Sequence, residues 1–397
     1  MVKRDVRLAG VVQGPEEIDA VIRVMTTDPP WHVSGPECNS LQKELAEFIG
    51  VKYCIVVNSG SSANLLALAA LNLGKKSRIL TSACGFPATL NPIIHLGHYP
   101  VLVDYKLDTL NIDLDQVELA LQKYAPKAII IAHTLGAPVD MHHLMILCDK
   151  YEVELIEDAC EAIGSEYEGE KLGSFGEVST VSFYSSHQIS GFGGGGAVLT
   201  DNEKIYERAK SLRDWGKKSV REGYICTKMD TMVGDIPYDQ QYTYDTIGYN
   251  MRYPDVNCAY AREQLKRLPG FSKKRYDNYM YLQKRLQSFN VPLHYPEWPD
   301  FSNPACFGFP VVLKEEGQRD RLVEHLENNG VHVRLFFAGN ILRHKAYENL
   351  KYSSLCTNFP IADYLMRNAF FCGVWPGLMF EDMEYIANTI ESFFTKN

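Results

Sequence analysis

The sequence lacks three features that would each assign it to a common class of protein. It has no apolar run of 18 residues, so we expect no transmembrane helix. Its ten cysteines include no Cys-x-x-Cys pair, which favours reduced thiols in a cytoplasmic protein over a disulfide framework or a zinc site. No apolar segment follows the basic residues near the N-terminus, so we expect no signal peptide. The formal net charge of -9 argues against nucleic-acid binding, because such proteins usually present a basic face.

What the chain does have is an apolar content sufficient for a large core, with 46% hydrophobic residues in a length of 397. Seven short apolar runs alternate with helical stretches in its first half. This pattern predicts a mainly parallel seven-stranded sheet with helices on both faces, an α/β fold. The runs cover residues 53–57, 79–81, 101–103, 128–131, 153–156, 178–183 and 197–199.

The same pattern divides the chain into three parts. Residues 1–35 are predicted to form an N-terminal arm, and 36–255 a large α/β domain. Residues 256–397 read as a smaller α+β domain. A polar, tyrosine-rich section over 217–244 has little periodicity, which is typical of a long functional loop or of an arm that reaches a partner subunit.

Two small motifs in the large domain are suited to binding a phosphate and a ring. Residues 58–64 (NSGSSAN) follow a strand and open a helix, where backbone N–H groups and hydroxyls would bind a phosphate. A plain turn with a helix cap explains this motif equally well. Phe86, in the next such connection, would place its ring in the same pocket, although a phenylalanine is more often part of the core.

Two further motifs suggest acid–base chemistry. Asp158 follows an apolar run, at the strand end where open α/β sheets bind ligands. An acid there would keep a pyridine nitrogen protonated, whereas the alternative is a helix cap. His187 lies in residues 182–189 (SFYSSHQI), where Ser182 would reach a phosphate while the imidazole faces the ring. A single histidine is more often structural, so the interpretation depends on the order and spacing of all four motifs.

That order resembles the DegT/DnrJ/EryC1/StrS sugar aminotransferase family, over about residues 31 to 394. Further similarities are residues 135–136 (LG), 175–176 (FG), 213–216 (RDWG) and 248–252 (GYNMR). The resemblance implies a fold-type I, aspartate-aminotransferase-like fold that binds pyridoxal 5'-phosphate or pyridoxamine 5'-phosphate. Its larger domain would contain the parallel sheet and its smaller C-terminal domain would be α+β.

The resemblance also assigns roles to residues. Gly60, Ser61, Ser62 and Ser182 would hold the cofactor phosphate, Phe86 would stack on the ring, and Asp158 would bind the pyridinium nitrogen. Asn250 would reach the cofactor phosphate of a neighbouring subunit, which implies a homodimer with shared active sites. Glu161 stands where aminotransferases of the family have glutamine or histidine.

His187 occupies the position of the family's Schiff-base lysine, and no lysine lies between Lys171 and Lys204. Within the family this change marks the deoxysugar 3-dehydratases. The resemblance therefore implies that pyridoxamine phosphate activates a nucleotide-linked 4-keto-6-deoxyhexose and that the C3 hydroxyl leaves. A neutral histidine would move the protons without trapping the cofactor covalently.

The 3-dehydratases divide into two groups. CDP-linked members bind a [2Fe–2S] cluster through four cysteines, but here only Cys160 matches a ligand position and only Cys226 lies between His187 and Asn250. We therefore expect no cluster. GDP-linked members take their amine from L-glutamate, and Glu161 and Arg252 resemble that group. Arg252 would bind the glutamate carboxylate through a bidentate pair, or else is a surface arginine.

Three more residues, Trp31, His332 and Arg334, are expected at the substrate, with a surface position as the alternative for the last two. One stretch departs from the family: residues 191–196 (GFGGGG) lack the glutamate of the usual Gly-Glu-Gly-Gly turn and are one residue longer. The leading hypothesis is a glutamate-fed nucleotide-sugar 3-dehydratase. Its rivals are an iron–sulfur dehydratase, an aminotransferase that uses another lysine, and a non-catalytic protein that binds the cofactor or a sugar nucleotide.

Overall fold

The computed structural model describes residues 4–219 and 227–395. Within these ranges the chain forms eleven α-helices. They are α1 (Pro15–Thr26), α2 (Pro36–Ile49), α3 (Gly60–Ala70), α4 (Pro87–His95), α5 (Leu114–Tyr124), α6 (Met141–Tyr151), α7 (Glu203–Arg213), α8 (Asp255–Ser288), α9 (Arg319–Asn328), α10 (Pro360–Asn368) and α11 (Phe380–Thr395). No helix of this part of the chain is long and apolar enough to cross a bilayer.

The described residues also form nineteen strands. They are β1 (Tyr53–Val57), β2 (Arg78–Ser82), β3 (Tyr99–Val103), β4 (Tyr105–Lys106), β5 (Asn111–Ile112), β6 (Ala128–Ala132), β7 (Glu154–Asp158), β8 (Glu166–Tyr167), β9 (Glu170–Lys171), β10 (Val178–Ser182), β11 (Gly196–Thr200), β12 (Thr231–Val233), β13 (Ile236–Tyr238), β14 (Leu293–His294), β15 (Ser302–Asn303), β16 (Gly308–Leu313), β17 (Val333–Leu335), β18 (Ser353–Ser354) and β19 (Ala369–Gly373).

The predicted α/β fold is confirmed: all seven apolar runs are strands of one sheet, in the order β1-β11-β10-β7-β6-β2-β3-β18. β11 is antiparallel to both of its neighbours, and the other pairs are parallel. The sheet has eight strands rather than the predicted seven, because β18 joins the edge of β3. This two-residue polar strand has no apolar run, so periodicity does not reveal it.

The register of the sheet brings three connections to one edge. Val57 and Ser182 both pair with Gly196, and Thr180 pairs with Asp158. Because β11 runs in the opposite direction to its neighbours, its first residue lies where β1 and β10 end. The candidate phosphate loop (residues 58–64), the end of β10 and the glycine-rich turn (residues 191–196) therefore meet at the edge where parallel sheets bind ligands.

The C-terminal part is built on a four-stranded antiparallel sheet in the order β14-β16-β19-β17. Its core is a second apolar cluster that includes Leu282, Phe309 and Phe370. α8 runs without interruption through Pro269, and it packs against α1 and α2 as well as against α11. The division into an arm, a large domain and a small domain at residues 35 and 255 stays a prediction.

Candidate active site

The predicted phosphate loop lies at the N-terminus of α3. Ser59 is the N-cap residue, and its hydroxyl accepts the N–H of Ser62 at 3.1 Å. The first N–H groups of an α-helix have no partner within the helix, and the helix dipole favours an anion there. Gly60, Ser61 and Ser62 thus form the first turn of a helix that can bind a phosphate.

Ser182, at the end of β10, lies directly against this helix N-terminus. A Cβ atom at position 60 would lie 2.8 Å from the Cβ of Ser182 and 2.8 Å from the Sγ of Cys160. Only glycine therefore fits at position 60, and its absent side chain lets the hydroxyl of Ser182 approach the helix. This close approach fits a phosphate held jointly by backbone N–H groups and a serine.

Asp158, the last residue of β7, is buried in a network of hydrogen bonds. Its Oδ2 accepts the side-chain amide of Asn64 at 2.7 Å and the hydroxyl of Thr89 at 2.7 Å. Its Oδ1 accepts the N–H of Cys160 at 3.2 Å. The hydroxyl of Thr180 donates in turn to Asn64. The carboxylate is therefore held rigidly at the end of the sheet, as an anchor for a pyridinium nitrogen requires.

Glu157 precedes Asp158 and points to the opposite face of the sheet. It is fully buried and accepts three backbone N–H groups of residues 173–176 at 2.7 to 2.9 Å, with His133 at 3.3 Å. The two adjacent carboxylates thus have different tasks. Glu157 ties a turn to the sheet, whereas Asp158 faces the phosphate loop.

His187 lies on the loop after β10 with its imidazole in a defined orientation. Nδ1 is 2.6 Å from the carbonyl oxygen of Cys160. Because a carbonyl only accepts, Nδ1 carries the proton and Nε2 keeps a basic lone pair. Burial, together with the positive charge of Arg275, lowers the pKa of His187 to about 4, so the ring is neutral at pH 7.

Cys160 links the two predicted functional groups through its backbone. Its N–H donates to Asp158, and its carbonyl accepts from His187. The structure therefore brings the candidate pyridinium anchor and the candidate base to one short segment. Sequence spacing alone does not reveal this link, because it uses main-chain atoms.

Arg275, on α8, is a residue that the sequence analysis missed. It is fully buried, and it donates to the carbonyls of His187 at 2.9 Å, Phe307 at 3.2 Å and Cys306 at 3.3 Å. These bonds fix the main chain at the histidine. An arginine within a long polar helix has no sequence signal that distinguishes burial from exposure.

Glu161 is half-buried, three residues beyond the end of β7. Its Oε2 accepts the N–H of Leu135 at 3.2 Å. Burial raises the pKa of Glu161 to about 8, so this carboxyl group is mostly protonated at neutral pH and also has a proton to donate. Its predicted role at the cofactor stays a prediction.

Phe86 is an aromatic residue beside the core whose ring is largely exposed to solvent. It is the N-cap residue of α4, and 57% of its surface is exposed. It lines a small cavity together with Thr89, whose hydroxyl holds Asp158. An exposed ring next to the candidate pyridinium anchor, Asp158, is suited to stacking on a cofactor.

The glycine-rich turn, residues 191–196, is well supported despite its extra length. The hydroxyl oxygen of Tyr253 lies 2.6 Å from the carbonyl oxygens of both Gly191 and Gly194, which share its one proton. The N–H of Gly195 donates to the carbonyl of Asn58 at 3.1 Å, which connects the turn to the phosphate loop. The longer turn thus keeps its contact with the candidate phosphate site.

Asn250 and Arg252 lie together in a segment that pairs with Asp214. Asn250 is exposed, and in the described residues no hydrogen bond joins it to Asp158 or His187. Arg252 donates through Nε to Asp214, and its guanidinium lies 5.2 Å from the Trp215 ring. The orientation of Arg252 is thus determined by an ion pair and a cation–π contact, and its role at the substrate stays a prediction.

The other three predicted substrate residues, besides Arg252, lie in two places. His332 and Arg334 line an open cavity of about 590 Å³ next to the loop that carries His187. Trp31 is half-buried, and it packs beside Gly35 near the start of α8.

Within the described ranges, 4–219 and 227–395, no group of three or more His, Cys, Asp or Glu side chains is arranged to hold a metal ion, and Cys226 lies outside these ranges.

Comparison with known proteins identifies the family of the chain. The family model of the DegT/DnrJ/EryC1/StrS aminotransferases matches residues 12–391. The chain belongs to this family. It is 38% identical to the lipopolysaccharide biosynthesis protein RfbH of Salmonella typhimurium, over 98% of this chain and 92% of that protein. It is 35% identical to the dTDP-4-dehydro-2,6-dideoxy-D-glucose 3-dehydratase of Saccharopolyspora spinosa, over 92% of this chain and 81% of that enzyme.

The fold of this family member is also similar to solved structures. One is a GDP-4-keto-6-deoxymannose-3-dehydratase with a trapped PLP-glutamate geminal diamine. The TM-score is 0.86 at 27% identity, and the match covers 97% of this chain and all of the other. The predicted aminotransferase fold is therefore confirmed.

Proposed function

We propose that this family member is a nucleotide-sugar 3-dehydratase that depends on pyridoxal or pyridoxamine phosphate. It removes the C3 hydroxyl of a nucleotide-linked 4-keto-6-deoxyhexose. The observation that carries the proposal is His187, a neutral imidazole in the position of the family's lysine, with its Nδ1 held by Cys160 and its Nε2 basic. The 3-dehydratases among its relatives support the same reaction.

The chain contains groups that fit the cofactor. The first turn of α3 and Ser182 would hold its phosphate, and Asp158 would hold its ring nitrogen. When bound, the cofactor supplies the amine that activates the C4 carbonyl and a ring that accepts electrons. His187 would take a proton through Nε2 and then deliver one to the departing C3 hydroxyl. Since imidazole cannot form the covalent link of a lysine, it leaves the cofactor free to exchange.

We propose that L-glutamate supplies the amine. The solved relative with a PLP-glutamate adduct supports this source. Arg252, oriented by Asp214 and Trp215, would bind a glutamate carboxylate. The reaction balances without an added reductant: glutamate is oxidised to 2-oxoglutarate and ammonia while the sugar loses one oxygen atom.

In the decisive experiment, purified protein is incubated with pyridoxal phosphate, glutamate and 4-keto-6-deoxyhexoses linked to GDP, CDP, dTDP or UDP. We expect mass spectrometry to show net loss of one oxygen from one of these sugars with its ketone retained, together with 2-oxoglutarate and ammonia. A stable amino sugar would instead identify an aminotransferase. Binding without turnover of any sugar would identify a non-catalytic member.

We also propose a cytoplasmic homodimer with shared active sites. Asn250 is exposed, and so are the apolar side chains of Trp215, Tyr244 and Ile247. Contiguous exposed apolar side chains favour a protein interface, and Asn250 would then reach the partner's cofactor phosphate. The nine described cysteines are free thiols, which suits a reducing compartment.

A shared site predicts complementation between two inactive subunits. His187→Asn removes the base, and Asn250→Asp places a negative charge beside the phosphate of the partner's cofactor. Each homodimer is expected to be nearly inactive. A purified heterodimer of the two variants has one intact site of two, so it should show about half of the wild-type activity. A heterodimer no more active than the two homodimers would exclude sharing through Asn250.

A further inference from the structure

One face of α8 holds the loop that carries His187, and it does so through main-chain atoms of the loop. The side-chain amide of Asn257 donates to the carbonyl of Gly191 at 2.7 Å. Gln264, about two helical turns further along the same face, accepts the N–H of Ser190 at 3.4 Å. Every residue supplies these main-chain groups, so the support does not depend on the side chains of the loop.

Arg275 extends this face of α8 by about three further turns. Only 1% of its surface is exposed. Its Nη2 donates to the carbonyl of His187 at 2.9 Å, and its Nη1 donates to the carbonyls of Phe307 at 3.2 Å and Cys306 at 3.3 Å. The last two residues lie just before β16 of the C-terminal sheet. One buried guanidinium therefore joins the histidine loop to that sheet.

The charge of Arg275 makes this joint resistant to displacement. Burial lowers the pKa of the guanidinium to about 10, so it stays charged at pH 7. In the part of the chain that the structure describes, no acidic side chain pairs with it. A buried charge without a counter-ion is costly unless polar groups surround it. Withdrawal of any of the three carbonyls would raise that cost.

The segment before β16 matters because Phe307 lies against the imidazole. The centroid of its ring is 5.1 Å from that of His187, in an edge-on arrangement. On another side, Nδ1 of His187 is held by the carbonyl of Cys160. The imidazole is thus oriented by its own main chain, by Cys160 and by Phe307. Arg275 holds the first and the last of these three.

We propose that Arg275 is a positioning residue for the dehydration, which fixes where Nε2 of His187 stands in the site. This assignment rests on the proposed function. Because Arg275 is buried and its donors reach main-chain carbonyls, it acts through the histidine and not on the substrate. A misplacement of about 1 Å in a reacting group can cost about a hundredfold in rate, so the clamp has a kinetic consequence.

The charge of Arg275 also acts on the imidazole. Burial is the main cause of the low pKa of His187; the carbonyl of Cys160 and the carboxylate of Asp158, on β7, raise it, and Arg275 lowers it. The phenol ring of Tyr184 lies 6.0 Å away. Removal of the positive charge of Arg275 should therefore raise the pKa of His187. Because the base acts unprotonated, activity should then be lost at a higher pH as the solution is acidified.

The test compares Arg275→Lys and Arg275→Met with wild type. Lysine keeps the charge, but its single ammonium lacks the planar fork that reaches both segments. Methionine loses the charge as well. We expect kcat for dehydration to fall at least about tenfold in the lysine variant and about a hundredfold in the methionine variant. Since Arg275 does not touch the substrate, KM for the nucleotide sugar should stay within about threefold.

Arg262→Met is the matched control, because it removes another arginine of α8 whose partners lie elsewhere. Arg262 pairs with Glu37 and Glu44 on α2. Its loss should lower the melting temperature and leave kcat within about twofold of wild type. A comparison of the two methionine variants therefore separates positioning of the base from general stability.

Titration of the imidazole provides a readout without turnover. In protein with isotope-labelled histidine, the resonance that is missing from His187→Asn identifies the ring, and its shift with pH gives the pKa. We expect this pKa to be higher in Arg275→Met than in wild type, with Arg275→Lys in between. The acid limb of the kcat profile should move in the same order.

A kcat for Arg275→Lys within about twofold of wild type would overturn the assignment, and so would an equal loss in Arg262→Met. If Arg275→Met does not fold, the lysine variant decides between the outcomes. If wild type turns over no sugar but the imidazole pKa moves as expected, the proposed function fails and the link between Arg275 and His187 stands. If wild type dehydrates its sugar and both Arg275 variants match it, only the role of Arg275 fails.

Discussion

The variant His187→Asn is expected to lower kcat for dehydration by about a hundredfold to ten-thousandfold, the usual contribution of a positioned general base. Its side-chain amide can still donate to the carbonyl of Cys160, so the local hydrogen bond is kept. What it lacks is the basic lone pair of Nε2. The melting temperature should therefore change little while turnover is lost. Steady-state kinetics and thermal unfolding of the same preparation measure both quantities.

Two further measurements separate the base from a merely structural histidine. His187→Lys restores an amine, so borohydride reduction should fix the cofactor to this variant and not to wild type, as intact mass would show. The pH profile should report the pKa of His187, which is lowered to about 4. Since the base acts unprotonated, activity should be lost only as the pH falls through that value. An Asn variant with more than a tenth of wild-type kcat would contradict the assignment.

The variant Asp158→Asn should have the second large effect, a loss in kcat of at least about a hundredfold, comparable to the removal of a key electrostatic contact. The buried carboxylate is held by Asn64, Thr89 and the N–H of Cys160. Its amide analogue carries no charge to keep a pyridine nitrogen protonated. Turnover should fall, and the absorbance spectrum of the bound cofactor should differ from that of wild type.

Glu157→Gln is the matched control because it alters the neighbouring carboxylate on the opposite face of β7. Glu157 ties residues 173–176 to the sheet, so we expect a lower melting temperature with kcat changed by less than about tenfold. Equal losses of kcat in the Asp158 and Glu157 variants would show that both act through the stability of the strand. That result would remove Asp158 from the cofactor site.

The parts of the fold that depend on local pattern could be predicted. Seven apolar runs became seven strands, since a strand buried on both faces must be apolar along its length. The eighth, β18, is two serines whose pairing with β3 depends on a chain return more than 200 residues later. No periodicity exists in two residues, so only the tertiary structure could show it.

The sequence by itself determined the family and the loss of the lysine. It also determined the order of the candidate phosphate loop, Asp158 and His187, because each of these three follows a strand whose place in the sheet is set by connectivity. Only the tertiary structure decided the chemical state of these groups. The tautomer of His187 depends on the carbonyl of Cys160, and its pKa depends on burial and on Arg275, which lies 88 positions away. Solvation and main-chain contacts of this kind arise from long-range packing, and residue type alone does not encode them.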